Sequence, residues 1–123
     1  MKNIVPIGLG TDVGGGVSLS MINEMKEAIE TSKTFNITEN ISNNYLSAEE
    51  AIWIATKGNS KILKLDNEIG DFGTGKSADF ICINKSRLNL NDNLSSNDIA
   101  SKIIYQLSNQ YVDSTYINGK KVY

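Results

Sequence analysis

The sequence predicts an α/β fold, and three observations carry the prediction. An apolar run at residues 4–9 is followed by Gly10 and leads into a stretch with helical spacing. A second apolar run at residues 78–83 is rich enough in Ile, Phe and Cys to form a strand. The last residues place Asn118-Gly119 between two strand-like runs, a strong hairpin signal because both residues tolerate the positive φ of a tight turn.

Each element follows from its neighbours. The first run contains Pro6, which lacks an amide donor and suits a strand start rather than the middle of an antiparallel ladder, so a short strand is expected there. From Ser18 or Ser20, both good N-caps, the residues Met21, Ile22, Met25, Ala28 and Ile29 make an apolar stripe; a helix over residues 19–33 is expected. "TFNITENISNNYL" is polar and Asn-rich, hence an expected loop. At Ser47 a capping box, Ser47-Ala48-Glu49-Glu50, opens a second helix with Ala51, Ile52 and Ala55 on its apolar side and Gly58 as its stop. A short helix over "SKILKL" follows. Turns punctuated by Gly70, Gly73 and Gly75 lead to the strand at 78–83, and "SSNDIASKIIYQL" carries an N-cap serine with Ile99, Ile103, Ile104 and Leu107 at helical spacing.

Composition narrows the function classes. A chain of 123 residues suits one domain, and its 40% hydrophobic and 21% charged content is ordinary for a globular protein. A net charge of −2 provides no field for phosphates, so nucleic acid is not an expected partner. No apolar stretch reaches the roughly 20 residues that span a bilayer, and "MKNIVPIG" lacks the apolar core of a signal peptide; no membrane is expected and a cytoplasmic location is. The single cysteine, Cys82, cannot form an internal disulfide and is expected as a buried strand thiol. There is no histidine, which excludes a Ser-His-Asp triad, a Cys-His pair or a histidine zinc site within this chain alone.

The stretch "LGTDVGGGVSLS" is the candidate for chemistry. A dinucleotide fingerprint starting at Gly8 and Gly10 requires glycine where Val13 stands, and a P-loop requires Gly-Lys-Ser/Thr where Gly15 and Gly16 lead to Val17. Both phosphate readings fail. What stays open is a plain turn capped by Asp12, or a strand exit that presents Asp12 to a metal. Trp53 suits a core or interface anchor, Lys76 and Asp79 a turn before the strand, and Glu49 and Glu50 a helix start.

Resemblance weighs in here. "GLGTDVGGGVSLSM" resembles the signature of the guanine deaminase family within the amidohydrolase superfamily. "LSAEEAIWIATKGNSKILKLDNEIGDFGTGKSADFICIN" is similar to the superfamily's closing segment, and "IIYQLSNQYVDSTYINGKKVY" to its terminal helix and hairpin; Lys64 stands where many such sequences have glycine. The resemblance implies the C-terminal piece of a (β/α)8 TIM-like barrel plus strands of the small flanking β domain. Residues 1–65 would hold the last barrel strand and C-terminal helices, and residues 66–123 the C-terminal part of the β domain with one helix. It further implies a zinc hydrolase acting on a C–N bond in purine catabolism, converting guanine and water to xanthine and ammonia in an enzyme whose complete form is a homo-oligomer. Asp12 would be the metal ligand and catalytic carboxylate, and glycines 14–16 would allow close backbone approach. The family's histidine ligands have no counterpart in this chain, so zinc is implied only together with an upstream part, and the chain alone is expected to be inactive.

Two other readings remain at this stage. One is a piece of another amidohydrolase acting on a purine, pyrimidine or chlorohydrolase-type substrate. The other is a non-catalytic assembly or binding module, and either a bare strand or unpaired helices would leave apolar surface exposed and favour self-association.

Overall fold

The computed structural model describes residues 5–16, 18–40 and 45–123. Helix α1 spans Met21–Thr38, α2 Ala48–Trp53, α3 Asn59–Ile62 and α4 Ser96–Gln106; strands β1 (Phe80–Ile83), β2 (Val112–Ile117) and β3 (Lys120–Lys121) form one antiparallel sheet in the order β1-β2-β3.

The helices α1, α2 and α4 bury a shared core of Met25, Ile29, Ala48, Ala51, Ala100 and Ile104, with Leu9, Ile22, Leu46, Ile52 and Ala55 packed against it. Alanines at three of these positions let the helix backbones approach closely. Local chemistry starts α1, α2 and α4 where the sequence says it should. Ser20 caps α1 by accepting from the Asn23 amide, while Ser18 instead accepts from the Ser20 amide and the Asn23 carboxamide. Reciprocal capping boxes open α2 (Ser47 with Glu50) and α4 (Ser95 with Asp98). Hydrogen bonds from Ser47 and Ser95 hold the Glu50 and Asp98 carboxyls below the usual carboxylate range.

Two helix boundaries depart from expectation. Helix α1 runs to Thr38, into the segment read as a loop; there its helix-poor residues turn their side chains back on the preceding turn, Thr34 Oγ1 donating to the Glu30 carbonyl, Asn36 Nδ2 to the Ser32 carbonyl and Thr38 Oγ1 to the Thr34 carbonyl. The expected loop at residues 41–44 lies outside the described residues. Nor does Gly58 stop the second helix. Its backbone is helical (φ −60°, ψ −52°), and the chain passes from α2 through a widened π turn, Ile54–Gly58, straight into α3. A Cβ there would sit 3.2 Å from the Trp53 ring, a tight contact that the ring would have to give way to by a few tenths of an ångström.

The stop comes at Lys64, whose φ is +59°. Its amide bonds the Lys61 carbonyl and the Leu65 amide bonds the Ser60 carbonyl, the pairing of a Schellman cap with lysine in the left-handed position that favours glycine.

Between α3 and the sheet, a three-charge knot fixes the glycine-punctuated turns. Asp71 receives Lys57 Nζ at 2.5 Å and Lys76 Nζ at 2.7 Å, and both lysines also donate to the Asp66 carbonyl. The two ammonium groups hold the Asp71 carboxyl far below the usual carboxylate range. Asp79 works in the hairpin: its Oδ1 accepts from the Asn118 amide at 2.6 Å, and the Gly119 amide bonds the Ala78 carbonyl. Asn118 and Gly119 have φ of 50° and 74°, as the expected tight turn requires.

The sheet corrects the reading of Cys82. It is exposed, not buried: β1 is an edge strand among the described residues, and no described element covers Cys82 on its face of the sheet. Ile81, opposite Thr115, and Ile117 share one sheet face and are 45% and 57% exposed. On the other face Phe80 stacks on Tyr116 with ring centroids 4.6 Å apart. No described helix is long and apolar enough to cross a membrane.

Candidate functional site

Residues 5–12 do not pair as a strand. The strand expected at residues 4–9 is absent over its described part, where Val5 and Ile7 are exposed; Ile4 lies outside the described residues. A strand needs a neighbour to satisfy its backbone, and here a side chain takes that place. Asn59, on the first turn of α3, accepts from the Leu9 amide through Oδ1 at 3.0 Å and donates from Nδ2 to the Leu9 carbonyl at 2.8 Å. The carboxamide thus copies what an adjacent peptide unit would offer.

Three residues beyond this clamp the chain folds into a tight turn. Asp12 has φ 45°, and its carbonyl accepts from the amides of Gly15 (2.9 Å) and Gly16 (2.6 Å). It is therefore the Asp12 backbone, not its carboxylate, that closes the turn. Gly16 is required by close approach, since a Cβ would fall 2.0 Å from the Thr11 carbonyl oxygen. With its backbone so engaged, the Asp12 side chain is left exposed, just ahead of α1.

Asp12 stands apart from the other features singled out. A groove of about 630 Å³ lies along α1, lined by residues that include Leu9, Glu24, Glu27, Ala28 and Phe35, but Asp12 is not among them. Trp53 is half exposed, with Lys61 Nζ 5.4 Å from its ring centroid. Among the described residues no three His, Cys, Asp or Glu side chains converge, and the chain has no histidine. One carboxylate does not fit a catalytic zinc, which takes about three protein ligands.

Sequence reasoning missed Asn59. Its partner lies 50 residues away, and no periodicity or short motif signals such a pair.

The family profile described as "Amidohydrolase family" matches residues 1–122, and the chain belongs to that family. It is similar to the guanine deaminase of Homo sapiens, 34% identical over 99% of the chain. The chain spans 28% of the length of that relative. Among solved structures, the guanine deaminase from C. acetobutylicum with guanine bound in its active site superposes with a TM-score of 0.78 at 26% identity, covering 94% of this chain and 27% of the other. An adenosine deaminase from Xanthomonas campestris with bound zinc superposes with a TM-score of 0.64 at 25% identity, covering 85% and 22%.

Proposed function

We propose that this chain supplies the closing part of a guanine deaminase, which converts guanine and water to xanthine and ammonia. The observation that carries the reading is the 34% identity to a guanine deaminase over 99% of the chain. In this reading residues 1–65 are the last barrel strand with its helices and residues 66–123 the end of the small β domain. The exposed apolar side chains of Val5, Ile7, Ile81 and Ile117 are then surfaces for the remainder of the enzyme.

Asp12 is this chain's contribution to the chemistry. Hydrolytic deamination adds water to the carbon bearing the amino group and breaks the C–N bond, so a proton must leave the water and reach the departing amine. A carboxylate within hydrogen-bond reach of both can carry it. The exposure of Asp12 leaves that carboxylate available. Zinc, bound in the related adenosine deaminase, would need its other ligands from histidines in another segment.

Co-expression with a histidine-bearing upstream amidohydrolase segment tests the proposal, with ammonia released from guanine as the readout. Turnover is expected only from the assembly, and Asp12→Asn should lower it by about 10²-fold or more. Association without guanine turnover would favour a non-catalytic assembly module, and full activity in Asp12→Asn would remove Asp12 from the mechanism.

A further inference from the structure

We propose that Asn59 is a positioning residue: by gripping both backbone groups of Leu9 it sets where residues 5–12 lie on the helical layer, and through them where Asp12 is presented. The catalytic consequence rests on the deaminase reading above, whereas the grip itself does not.

The geometry supports the grip from both sides. Asn59 also donates Nδ2 to the Ala55 carbonyl at 3.3 Å, so its carboxamide is braced by its own helix while it reaches across to Leu9. Leu9 packs against the helical core, and Gly8 next to it lies so close that an added Cβ would sit 2.4 Å from Asn59 Oδ1 and 3.1 Å from Ile62 Cδ1. Gly8 is thus the residue that admits the carboxamide. From Leu9 only Gly10 and Thr11 separate the grip from Asp12, whose own carbonyl is fixed by the Gly15 and Gly16 amides. With Leu9 gripped and its own carbonyl bonded, the Asp12 backbone has little room to wander, so the point from which the carboxylate extends is fixed; that matters for a proton-transferring group, because small misplacements of a reacting group cost large factors in rate.

The test uses amide hydrogen exchange and NMR on the whole 123-residue chain. In Asn59→Ala the Leu9 amide should exchange about tenfold faster or more, since it loses its only acceptor among the described residues, and the Gly15 and Gly16 amide resonances should move. Protection of the α1 and α2 amides should not change. Gly8→Ala should give the same result from the opposite side, and adding it to Asn59→Ala should change nothing further. Asn59→Asp keeps the acceptor for the Leu9 amide but sets a carboxylate against the Leu9 carbonyl, so it should not restore the wild-type Gly15 and Gly16 resonances. In the assembled enzyme, Asn59→Ala should lower kcat about tenfold at unchanged KM. Unchanged Leu9 exchange in both single variants, unmoved Gly15 and Gly16 resonances, or an unchanged kcat each overturns the proposal. A wild-type assembly that never converts guanine removes the deaminase reading instead, while Leu9 exchange and the glycine resonances still decide whether Asn59 positions Asp12.

Discussion

The helical layer and the sheet of this chain are built from similarly apolar sequence, yet one closes on itself and the other does not. Helices α1, α2 and α4 satisfy their backbones internally and pool their apolar stripes into one core, where Ala51 is fully buried and Ile104 is 2% exposed. In the sheet, β1 has a partner on one side only among the described residues, and Ile81, Cys82 and Ile117 stand exposed. Residues 5–12 extend the contrast, being held by one carboxamide rather than by strands. Helices can be completed locally; strands depend on what lies beside them.

The largest expected effect separates the two layers directly. Ile104→Ala should cost about 3 kcal/mol of unfolding free energy, measured by urea denaturation, because it opens a cavity among three helices. Ile81→Ala should cost less than about 1 kcal/mol, since its side chain is half exposed already. Equal losses at the two sites would break the comparison. A paired Ile81→Lys and Ile117→Lys change should reduce self-association in sedimentation while leaving the helical melt in place.

A smaller effect lies at the boundary of the layers. Lys64→Gly should raise stability by about 1 kcal/mol, because the left-handed φ of +59° costs lysine what it does not cost glycine. A thermal melt should move up by roughly 4 °C. No change would mean that the cap relaxes in solution.

The smallest effect concerns the knot joining α3 to the sheet. Asp71, with its carboxyl held low by Lys57 and Lys76, contributes stability that is present at neutral pH and lost as pH falls below about 4, where the unfolded chain begins to take up the proton first. Glu30, held low by the Tyr105 hydroxyl and Lys33, acts with the same sign. Exposure and salt screen both, so the change is expected to be modest. Asp71→Asn should flatten the acid limb of a stability-against-pH curve, and an unaltered limb would show that the knot carries no net weight.

How much of this was legible in the sequence follows the same division. The capping box at Ser47, the N-cap serine before α4 and the Asn118-Gly119 turn are short-range signals, and the structure uses all three, completing the second as a capping box between Ser95 and Asp98. The motif around Asp12 pointed to the family through its resemblance. What could not be read were effects that depend on distant or averaged contacts. Cys82 was expected in a core because its neighbours are apolar, but burial is decided by what covers a strand. Gly58 was expected to end a helix that in fact runs through it with helical backbone angles, its Cα packed close beside the Trp53 ring. Asn59 carries no local signal at all.

The broadened turn at Ile54–Gly58 has one more effect, on aim. Each residue of an α-helix advances about 100° around the axis, and a π turn absorbs one residue beyond the ordinary count. Wound uniformly, the same sequence would carry the Asn59 carboxamide around the cylinder and off the N-terminal segment. Excising a single residue within the bulge would leave that azimuth nearly as it is, whereas excising one ahead of it, between the buried Ala51 and the start of the bulge at Ile54, would rotate the amide by about 100° relative to Ala51 and release Leu9.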